Sequence, residues 1–396
     1  MRIRYSTRED GKRIKKAAVY TQDEHGINFS DIDSDAVSVV TRLKASGHEA
    51  YIVGGAVRDL ILGKKPKDFD IACDASPARI KKIFRNARII GHRFRLVHVY
   101  FGPKIFEVST FRSRLDSPES NIFGTIDEDV LRRDFTFNAL FYDPQQQIVV
   151  DYVGGMKDIR SRCIRPIIPL SMIFSGDPVR MIRAVKYSAI TGFPLSMQVR
   201  WKIRKQAALL ASVSPSRLTE EINKIIHSSQ AGSIVTRLEE LGLYRYLQPG
   251  ASRLMKEKPV FRSRYLSTLG LLNKKGFKNR SGEILSALIR DYLEEEALWD
   301  EGQEDLPLSH QEIYKNVFAA ARSFVLPMNP PRMELDHAVR MILAEHGIVI
   351  KKSHFAERNG AMHQSFHSRN AAHPAEIPGE SSPAKRRRRR RPTGDS

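Results

Sequence analysis

One stretch of this sequence, residues 49–72, restricts the fold more than any other part of the chain. It begins with a short apolar run that predicts a strand ending at the glycine pair Gly54-Gly55. A helix is expected next, followed by a second strand that carries Asp68 and Asp70. Alternate residues of a strand point to the same face, so this order of elements predicts an α/β domain with two neighbouring carboxylates.

The periodicity of the sequence changes once along the chain. Apolar runs at 87–90, 96–101 and 105–109 predict further strands of a mixed sheet, whereas after about residue 165 apolar residues recur at helical spacing. The predicted fold is therefore an α/β head followed by an all-α neck and body and a disordered basic tail. The predicted segments are a basic mobile arm (1–28), the head (29–165), a helical neck (166–250), a helical body (251–351) and an Arg-rich tail (352–396).

The composition indicates a polyanionic partner. The chain has 396 residues, and 65 lysines and arginines oppose 45 aspartates and glutamates, which gives a formal net charge of +20. Nucleic acid fits this charge better than a membrane does, because no apolar run reaches the length of a membrane span. The charged N-terminus lacks the apolar core of a secretory signal, so we expect a cytoplasmic protein.

Asp68 and Asp70 indicate metal-dependent phosphate chemistry. Two adjacent carboxylates repel each other unless a cation lies between them, and Mg²⁺ is the hard cation that oxygen ligands favour. Two Mg²⁺ ions would activate an attacking hydroxyl and hold a triphosphate with its leaving group. A third carboxylate is expected at such a site, and both Glu107 and Asp134 are candidates.

The glycine pair is a candidate phosphate-binding turn. Without side chains, Gly54 and Gly55 allow backbone N–H groups to approach a triphosphate, and the following helix would direct its positive end there. Arg58 can add a charge-assisted contact. A glycine pair alone is weak evidence for such a site, but its position shortly before Asp68 and Asp70 makes the combination much more specific.

A second group of candidate binding residues begins at Asp177. Asp177-Pro178 has the composition of a helix start, and Arg180, Arg183 and Lys186 follow at spacings that place them on one helical face. A carboxylate and a guanidinium together can recognise an exocyclic amine next to a ring acceptor. That edge occurs in adenine and cytosine, so the pair would select these bases without separating them.

A run of arginines near the C-terminus is a candidate contact for nucleic acid. Its attraction to phosphates would depend on salt and be nearly independent of sequence. An arginine run can also serve as a solubility tail, but six in succession favour RNA binding. The residues are Arg386, Arg387, Arg388, Arg389, Arg390 and Arg391.

Together these features resemble the class of nucleotidyltransferases that contains bacterial poly(A) polymerases and eubacterial-type tRNA CCA-adding enzymes. The resemblance covers about residues 29–250, and residues 89–99 with the Arg-rich C-terminus are similar to the poly(A) polymerase branch. Its motifs are Gly54-Gly55-x-x-Arg58-Asp59, Asp68-x-Asp70, Arg132-Arg133-Asp134-Phe135-Thr136, Asp151-Tyr-Val-Gly-Gly155, Asp177-x-x-Arg180 and Arg217-Leu-Thr-Glu220-Glu221.

The resemblance implies a role for each group of residues. The head would be a nucleotidyltransferase palm, the neck would recognise the nucleotide base and the body would bind RNA. Asp68 and Asp70 would bind Mg²⁺, and Asp134 would be the third acidic residue of the active site. The triphosphate and sugar would contact Gly55, Arg58 and Arg133, and the base would contact Asp177, Arg180 and Arg183.

The implied activity is untemplated addition of AMP to RNA 3′ ends, in which the terminal hydroxyl attacks the α-phosphate of ATP and pyrophosphate leaves. RNA 3′ ends and ATP would be the partners, with no membrane, and proteins of RNA decay stay open as further partners. Addition of CCA to tRNA is a close alternative that uses the same chemistry. A non-catalytic RNA-binding scaffold is a third hypothesis, which the crowded carboxylates disfavour.

Overall fold

The computed structural model describes most of the head, neck and body segments. The described residues are 2–7, 13–91, 96–113, 123–272, 281–296 and 308–350. Its strands are β1 (Arg2–Thr7), β2 (Arg13–Tyr20), β3 (Ala50–Val53), β4 (Asp70–Cys73), β5 (Ala87–Ile90), β6 (Leu96–Phe101), β7 (Lys104–Thr110), β8 (Leu140–Asp143) and β9 (Ile148–Asp151). The predicted strands at 87–90, 96–101 and 105–109 are confirmed as β5, β6 and β7.

All strands of the described residues form one mixed sheet. The spatial order is β1-β2-β9-β8-β3-β4-β7-β6-β5, and within it only β4 and β7 pair in parallel. Central strands such as β3 and β8 are buried along their whole length, because helices and neighbouring side chains cover both faces. Apart from Asp143 at the end of β8, their uninterrupted apolar and aromatic sequence agrees with burial on both sides.

The prediction of a mobile arm over residues 1–28 is wrong for its two strands. β2 pairs with β9, aligning Ala18 with Asp151 and Tyr20 with Val149, and β1 pairs with β2 at the edge of the sheet. The apolar run Ala17–Tyr20 is buried, and it supplies the free energy that a solvated arm would lack. The many basic residues around this run concealed it, and charged residues of this kind are typical of edge strands.

The helices lie between the strands in the head and occupy nearly all of the described chain after β9. They are α1 (Gln22–His25), α2 (Ser34–Ala45), α3 (Gly55–Ile61), α4 (Pro77–Ile83), α5 (Ile126–Arg132), α6 (Gly155–Arg160), α7 (Ile173–Gly176), α8 (Val179–Thr191), α9 (Met197–Gln206), α10 (Pro215–Ile226), α11 (Ala231–Glu240), α12 (Tyr244–Leu247), α13 (Pro249–Glu257), α14 (Pro259–Leu271), α15 (Ser281–Glu296), α16 (His310–Val325) and α17 (Arg332–Glu345). Short 3₁₀ helices occupy Phe29–Asp31, Thr136–Asn138 and Ala207–Ser212.

The fold class agrees with the sequence prediction of an α/β head followed by an all-α region. No strand follows β9 in the parts of the chain that the structure describes. No helix in these parts is long and apolar enough to cross a membrane. The predicted tail at 352–396, with its arginine run, lies outside the described residues.

Strand register determines which residues meet at the edge of the head. In the antiparallel pair β3 and β4, Val53 is opposite Asp70, so the chain turns at Gly54 beside that carboxylate. In the parallel pair β4 and β7, Ile71 is aligned with Val108, which places Glu107 next to Asp70 along the same edge. The fold therefore joins the glycine turn and two acidic residues that lie far apart in sequence.

An aromatic cluster connects the head to the neck. Phe135 and Phe137 stack with ring centroids 5.9 Å apart, and Tyr187 of α8 meets both rings edge-on. Phe193, just after α8, adds a further edge-on contact to Phe137. Phe135, Phe137 and Phe193 are almost fully removed from water, so the cluster fixes α8 against the loop that follows α5.

Candidate active site

The glycine turn lies directly beside a carboxylate and a guanidinium. Gly54 has φ 72° and ψ −130°, a conformation that side chains strongly disfavour. A methyl group built on Gly54 would lie 3.8 Å from Nη1 of Arg133 and 3.9 Å from Oδ2 of Asp70. The backbone of α3 starts at this point, so its first N–H groups and these two charged side chains border one small region.

The edge of the head that holds Asp68, Asp70 and Glu107, which we call the acidic edge, carries uncompensated negative charge. Burial, and then the charges of Glu107 and Asp68, raise the pKa of Asp70 to about 6, although Arg133 and Lys224 act in the opposite direction. Asp70 borders solvent, but the surrounding protein removes part of the water around its carboxylate. Within the described part of the chain, neither Asp68 nor Asp70 forms an ion pair, so the edge favours a cation.

The two aspartates occupy different local structures. Asp70 is the first residue of β4, whereas Asp68 lies in the preceding loop and not in the strand that the sequence predicted. A residue on an edge loop keeps its carboxylate exposed, which leaves it accessible to a ligand in solution. The charge of Asp68 nevertheless reaches Asp70, so the loop keeps the two acids close together.

The donor set of this edge fits Mg²⁺. Among the described residues, no three histidine, cysteine or acidic side chains are close enough together to hold a metal ion by themselves. Mg²⁺ does not require such a cage, because it is usually bound through one or two carboxylates together with substrate phosphates and water. Asp68 and Asp70 supply that number of carboxylates. Burial and then the charges of Glu107 and Asp68 raise the pKa of Asp70, and a bound cation would oppose this shift.

Glu107 lies on the opposite side of Asp70 from the glycine turn. Its side chain is 52% exposed, and Oε1 lies 3.6 Å from Nε2 of His98 on the neighbouring strand β6. The carboxylate is thus close enough to Asp70 to influence its protonation, but it is not bound up in a strong ion pair. Of the two predicted candidates for a third carboxylate, Glu107 is the one whose charge acts on Asp70.

Arg133 is held in place beside the turn. Its Nη2 and Nε donate to Oδ2 of Asp129 at 2.9 and 3.1 Å, and Nη1 donates to the carbonyl of Asn138 at 3.3 Å. The guanidinium also lies over the ring of Phe141, 4.8 Å from its centroid. A side chain restrained on several sides loses little entropy when it binds an anion, which suits contact with phosphate.

Arg58 is buried beneath the glycine turn. Its Nη1 donates to Oδ1 of Asn138 at 2.8 Å and its Nε donates to Asp59 at 2.8 Å, and the guanidinium also faces the rings of Phe137 and Tyr187. Only 5% of the residue is exposed. In this structure Arg58 supports the turn from below, and the same contacts tie α3 to the aromatic cluster.

Asp134 faces helix α8. Oδ1 accepts from Nε of Arg180 at 2.7 Å, and Oδ2 accepts from Nη1 of Arg183 at 3.0 Å. Nη2 of Arg180 also donates to the carbonyl of Arg132 at 3.2 Å. Both oxygens of Asp134 are therefore occupied by arginines, in contrast to the oxygens of Asp70.

The ion-pair network continues onto α10 through Glu221. Oε1 accepts from Nε of Arg183 at 2.8 Å and Oε2 accepts from Nζ of Lys186 at 2.7 Å. Burial alone would raise the pKa of Glu221, but the charges of Lys186 and Arg183 hold it below the ordinary value. Burial would likewise lower the pKa of Arg183, and Asp134 and Glu221 instead raise it. We call Asp134, Arg180, Arg183, Lys186 and Glu221 the α8 network.

Asp177 is connected to the same two helices. Oδ1 accepts from the backbone N–H of Val179 at 3.3 Å, which caps the start of α8, as the sequence predicted. Nη2 of Arg217, on α10, donates to both oxygens at 2.9 and 3.0 Å. Asp177 thus lies at the corner where α7, α8 and α10 meet, next to Arg180, whose Nε is 3.8 Å from its Oδ2.

The structure divides the predicted site residues into two neighbouring groups. Asp70, Glu107, Gly54 and Arg133 gather at the edge of the head, and Asp134 joins Asp177, Arg180 and Arg183 at the neck. Part of the branch segment 89–99 and the arginines at 386–391 lie outside the described residues.

Two supporting residues, Arg217 and Glu221, belong to a motif of the family resemblance, but the sequence assigned them no function. Glu221 occupies a core position of α10, three residues after buried Leu218 and next to buried Ile222. An acid at such a position needs a cationic partner, which is the signal that could have identified it.

Comparisons with known proteins agree with this geometry. Residues 50–165 match the family described as the poly(A) polymerase head domain, and residues 192–255 match the family described as the probable RNA and SrmB-binding site of polymerase A. The first match contains the glycine turn, the acidic edge and Asp134. The second begins just after α8 and contains Arg217 and Glu221.

Individual relatives include both poly(A)-adding and CCA-adding enzymes. The chain is 42% identical over 255 residues to poly(A) polymerase I of Salmonella typhi, which covers 60% of this chain and 55% of that protein. It is 37% identical over 229 residues to the CCA-adding enzyme of Geobacillus stearothermophilus, which covers 56% of each. The solved CCA-adding enzyme of Bacillus stearothermophilus in complex with CTP has a TM-score of 0.53 and 28% identity, covering 78% of this chain and 82% of that one.

The α/β head and the helical neck share their fold with a solved CCA-adding enzyme, and the head matches the poly(A) polymerase head domain. These matches make the head and neck similar to those of poly(A) polymerases and tRNA CCA-adding enzymes. The chain spans little more than half the length of the curated poly(A) polymerases that it matches.

Proposed function

We propose that this protein is a poly(A) polymerase that transfers AMP from ATP to RNA 3′ ends and releases pyrophosphate. The observation that carries the proposal is the acidic edge, where Asp68, Asp70 and Glu107 crowd together beside a glycine turn and a restrained arginine. Such an edge attracts a divalent cation and a triphosphate together, which is what nucleotidyl transfer requires.

Asp68 and Asp70 would hold Mg²⁺, with Glu107 as the third carboxylate. The ions would lower the pKa of the RNA 3′ hydroxyl and neutralise charge that develops on the α-phosphate and on pyrophosphate. Glu107 is assigned this position because its charge acts on Asp70, whereas both oxygens of Asp134 are engaged by arginines. Asp134 is assigned a positioning role.

The turn and the basic residues around it would bind the triphosphate. Backbone N–H groups at the start of α3 would bind phosphate beside Asp70, and Arg133 supplies a restrained guanidinium near Gly54. Asp129 holds Arg133 in this position before the nucleotide arrives. Arg58 would contribute from beneath the turn, mainly by keeping Gly55 in place, since its Nη2 lies 3.6 Å from a methyl group built on Gly55.

Asp177 and Arg180 would recognise the base. Arg180 is held by Asp134 through Nε and by the carbonyl of Arg132 through Nη2, and its Nη1 has no partner among the described residues. Asp177 accepts from Arg217 but still has acceptor capacity. The pair can therefore offer one acceptor and one donor to the amine-bearing edge of adenine, or of cytosine.

The choice between AMP addition and CCA addition rests on similarity to known enzymes. Identity to a poly(A) polymerase is 42% over 255 residues, against 37% over 229 residues for a CCA-adding enzyme. The likeness to a solved CCA-adding enzyme with CTP keeps CCA addition to tRNA as the second candidate. Base recognition by Asp177 and Arg180 is compatible with either.

A substrate assay separates the two candidates. Purified protein is incubated with Mg²⁺ and either ATP or CTP, using a generic single-stranded RNA or a tRNA that lacks its CCA end as acceptor. We expect long A tails on both RNAs with ATP and little incorporation of CMP. A product restricted to CCA on the tRNA would replace the first candidate by the second, and no incorporation would favour a scaffold.

A further inference from the structure

Helix α9 presents an exposed aromatic surface on a strongly basic helix. Met197 and Trp201 are 76% and 61% exposed, and they lie four residues apart on the same face. Nζ of Lys205, a further four residues on, lies 5.0 Å from the centroid of a Trp201 ring. The two exposed apolar side chains lie together on one face and beside a cavity, so this face is a candidate docking surface.

The exposed residues border a cavity of about 600 Å³. Its walls come from the segment before α7 on one side and from α9 on the other. They are formed by Leu170, Ser171, Met197, Gln198, Trp201 and Lys202. A cavity of this volume is large enough for a small planar ring system.

The charge of α9 indicates which ligand this surface fits. The helix carries Arg200, Lys202, Arg204 and Lys205 and has no acidic residue. An apolar protein segment would gain little from four cations on the helix that carries Trp201, whereas a single-stranded nucleic acid offers both phosphates and flat bases. Aromatic side chains surrounded by basic residues are the usual platform for such strands.

The surface also lies close to the candidate active site in the fold. Residues 170–171 form one wall of the cavity and follow shortly after Ile167, whose N–H donates to the carbonyl of Asp134 at 3.2 Å. They are followed by α7, which ends next to Asp177. Helix α9 packs against α7. A strand bound on α9 would therefore be guided by the same segment that leads to the base-recognition residues.

We propose that Trp201 stacks on a base of the single-stranded RNA acceptor, upstream of its 3′ end, while Lys202 and Lys205 contact the adjacent phosphates. This inference rests on the proposed function, because it identifies the acceptor as RNA. Stacking on one aromatic residue is largely independent of base identity, so the platform would hold any acceptor sequence. The cation over the ring strengthens its attraction for a polyanion without specifying a base.

Equilibrium binding to a fluorescein-labelled oligo(A) tests the platform without requiring catalysis. Trp201→Ala should raise the Kd between about 5-fold and 100-fold, and Trp201→Phe should restore most of the affinity. Met333→Ala is the matched control, because Met333 is an 84% exposed apolar residue on α17. A Kd for Trp201→Ala within twofold of wild type would overturn the inference.

The fluorescence of Trp201 gives an independent reading. The chain has two tryptophans, so Trp299→Phe leaves Trp201 as the only one. Adding oligo(A) to this variant should quench its emission as the bases stack, and unchanged emission would overturn the inference and point to a protein partner instead. Both measurements are separate from the proposed activity: loss of binding in Trp201→Ala with no AMP transfer by wild type would refute the function and keep the platform.

Discussion

The acidic edge of the head and the α8 network are both rich in carboxylates, but they compensate charge differently. At the edge, burial and then the charges of Glu107 and Asp68 raise the pKa of Asp70, which has no ion-pair partner among the described residues. In the α8 network, Asp134 and Glu221 meet cations at distances of 2.7 to 3.0 Å. The first cluster is incomplete without an added cation, whereas the second is complete within the protein.

This difference assigns different tasks to the two regions. A cluster that stores repulsion is a ligand site, since binding a cation removes the repulsion. A cluster that is neutralised internally is a brace, and in the proposed function it would hold Arg180 next to Asp177 for recognition of the base. Substitutions in the first region should therefore change metal-dependent chemistry, and substitutions in the second should change stability and nucleotide preference.

The largest expected effect comes from Asp70→Asn. It removes a proposed metal ligand, so kcat for AMP transfer should fall by on the order of 10³-fold or more, with RNA affinity roughly unchanged. Asp74→Asn is the control, because Asp74 lies just beyond the other end of β4 and pairs with His48. Transfer by Asp70→Asn at the wild-type rate would remove the central assignment.

The same variant should be more stable than wild type in the absence of metal. The folded pKa of Asp70 is raised to about 6, so its ionised form costs stability at pH values above 6. Asp70→Asn removes that cost, and the gain in Tm should be present at pH 8 and fade as the pH falls below 6. Thermal unfolding in EDTA measures this difference in Tm. A Tm of the variant at pH 8 below that of wild type would show that ionised Asp70 does not destabilise the fold.

A direct comparison of Glu107→Gln and Asp134→Asn separates the two regions. Glu107→Gln should lower transfer by about 10 to 100-fold at low Mg²⁺ and recover partly as Mg²⁺ is raised. Asp134→Asn should lose selectivity for ATP over GTP and UTP, with a loss of rate that extra Mg²⁺ does not restore. The rate of each variant is titrated against Mg²⁺ and against each nucleotide. If Mg²⁺ rescued Asp134→Asn but not Glu107→Gln, Asp134 would be the third metal ligand and Glu107 the positioning residue.

Glu221→Gln tests the brace. Removing this carboxylate leaves buried Lys186 without its partner, so the free energy of unfolding should fall by about 3 kcal/mol at pH 7. The folded pKa of Glu221 lies below its ordinary value, so its stabilising contribution is present above pH 4.5 and is lost as the pH falls through the lowered pKa. The difference between variant and wild type should therefore shrink in acid.

Glu220→Gln is the matched control for this comparison. The neighbouring side chain is exposed on the same helix, and its loss should change stability by less than about 0.5 kcal/mol. Urea unfolding at pH 7 and pH 4 measures both variants. Equal stability of the two variants at pH 7 would show that Glu221 is not a bracing residue.

Deletion of residues 385–391 should have the smallest effect on turnover. This segment contains the arginine run, and its loss should weaken RNA binding and reduce the salt dependence of the affinity, with little change in kcat at saturating substrate. Deletion of residues 377–383, which has the same length and lacks basic residues, is the control. An identical salt slope in both deletions would assign no RNA contact to the arginines.

Local features of the fold could be predicted from the sequence. The strands β5, β6 and β7 follow from periodicity, which acts over a few residues. The edge strands at the N-terminus could not be predicted in this way, because their stability comes from pairing with β9, a strand far along the chain. Composition alone made that segment resemble a solvated arm.

The candidate site was predictable in its residue types but not in its partners. The sequence identified Asp70, Asp134 and Arg180, yet it could not show that Asp134 pairs with Arg180, 46 residues away, while Glu107 acts on Asp70. Those pairings depend on which strands and helices become neighbours. Register along β4 and β7, and the packing of α8 against α10, decide them.

The central claim is that the catalytic cation binds at the acidic edge and not at the α8 network. Binding of Mn²⁺, used as a spectroscopic substitute for Mg²⁺, can be measured by electron paramagnetic resonance in the presence of a non-hydrolysable ATP analogue. We predict that Asp70→Asn loses bound Mn²⁺ and that Asp134→Asn retains it. Retention by Asp70→Asn together with loss by Asp134→Asn would contradict the account.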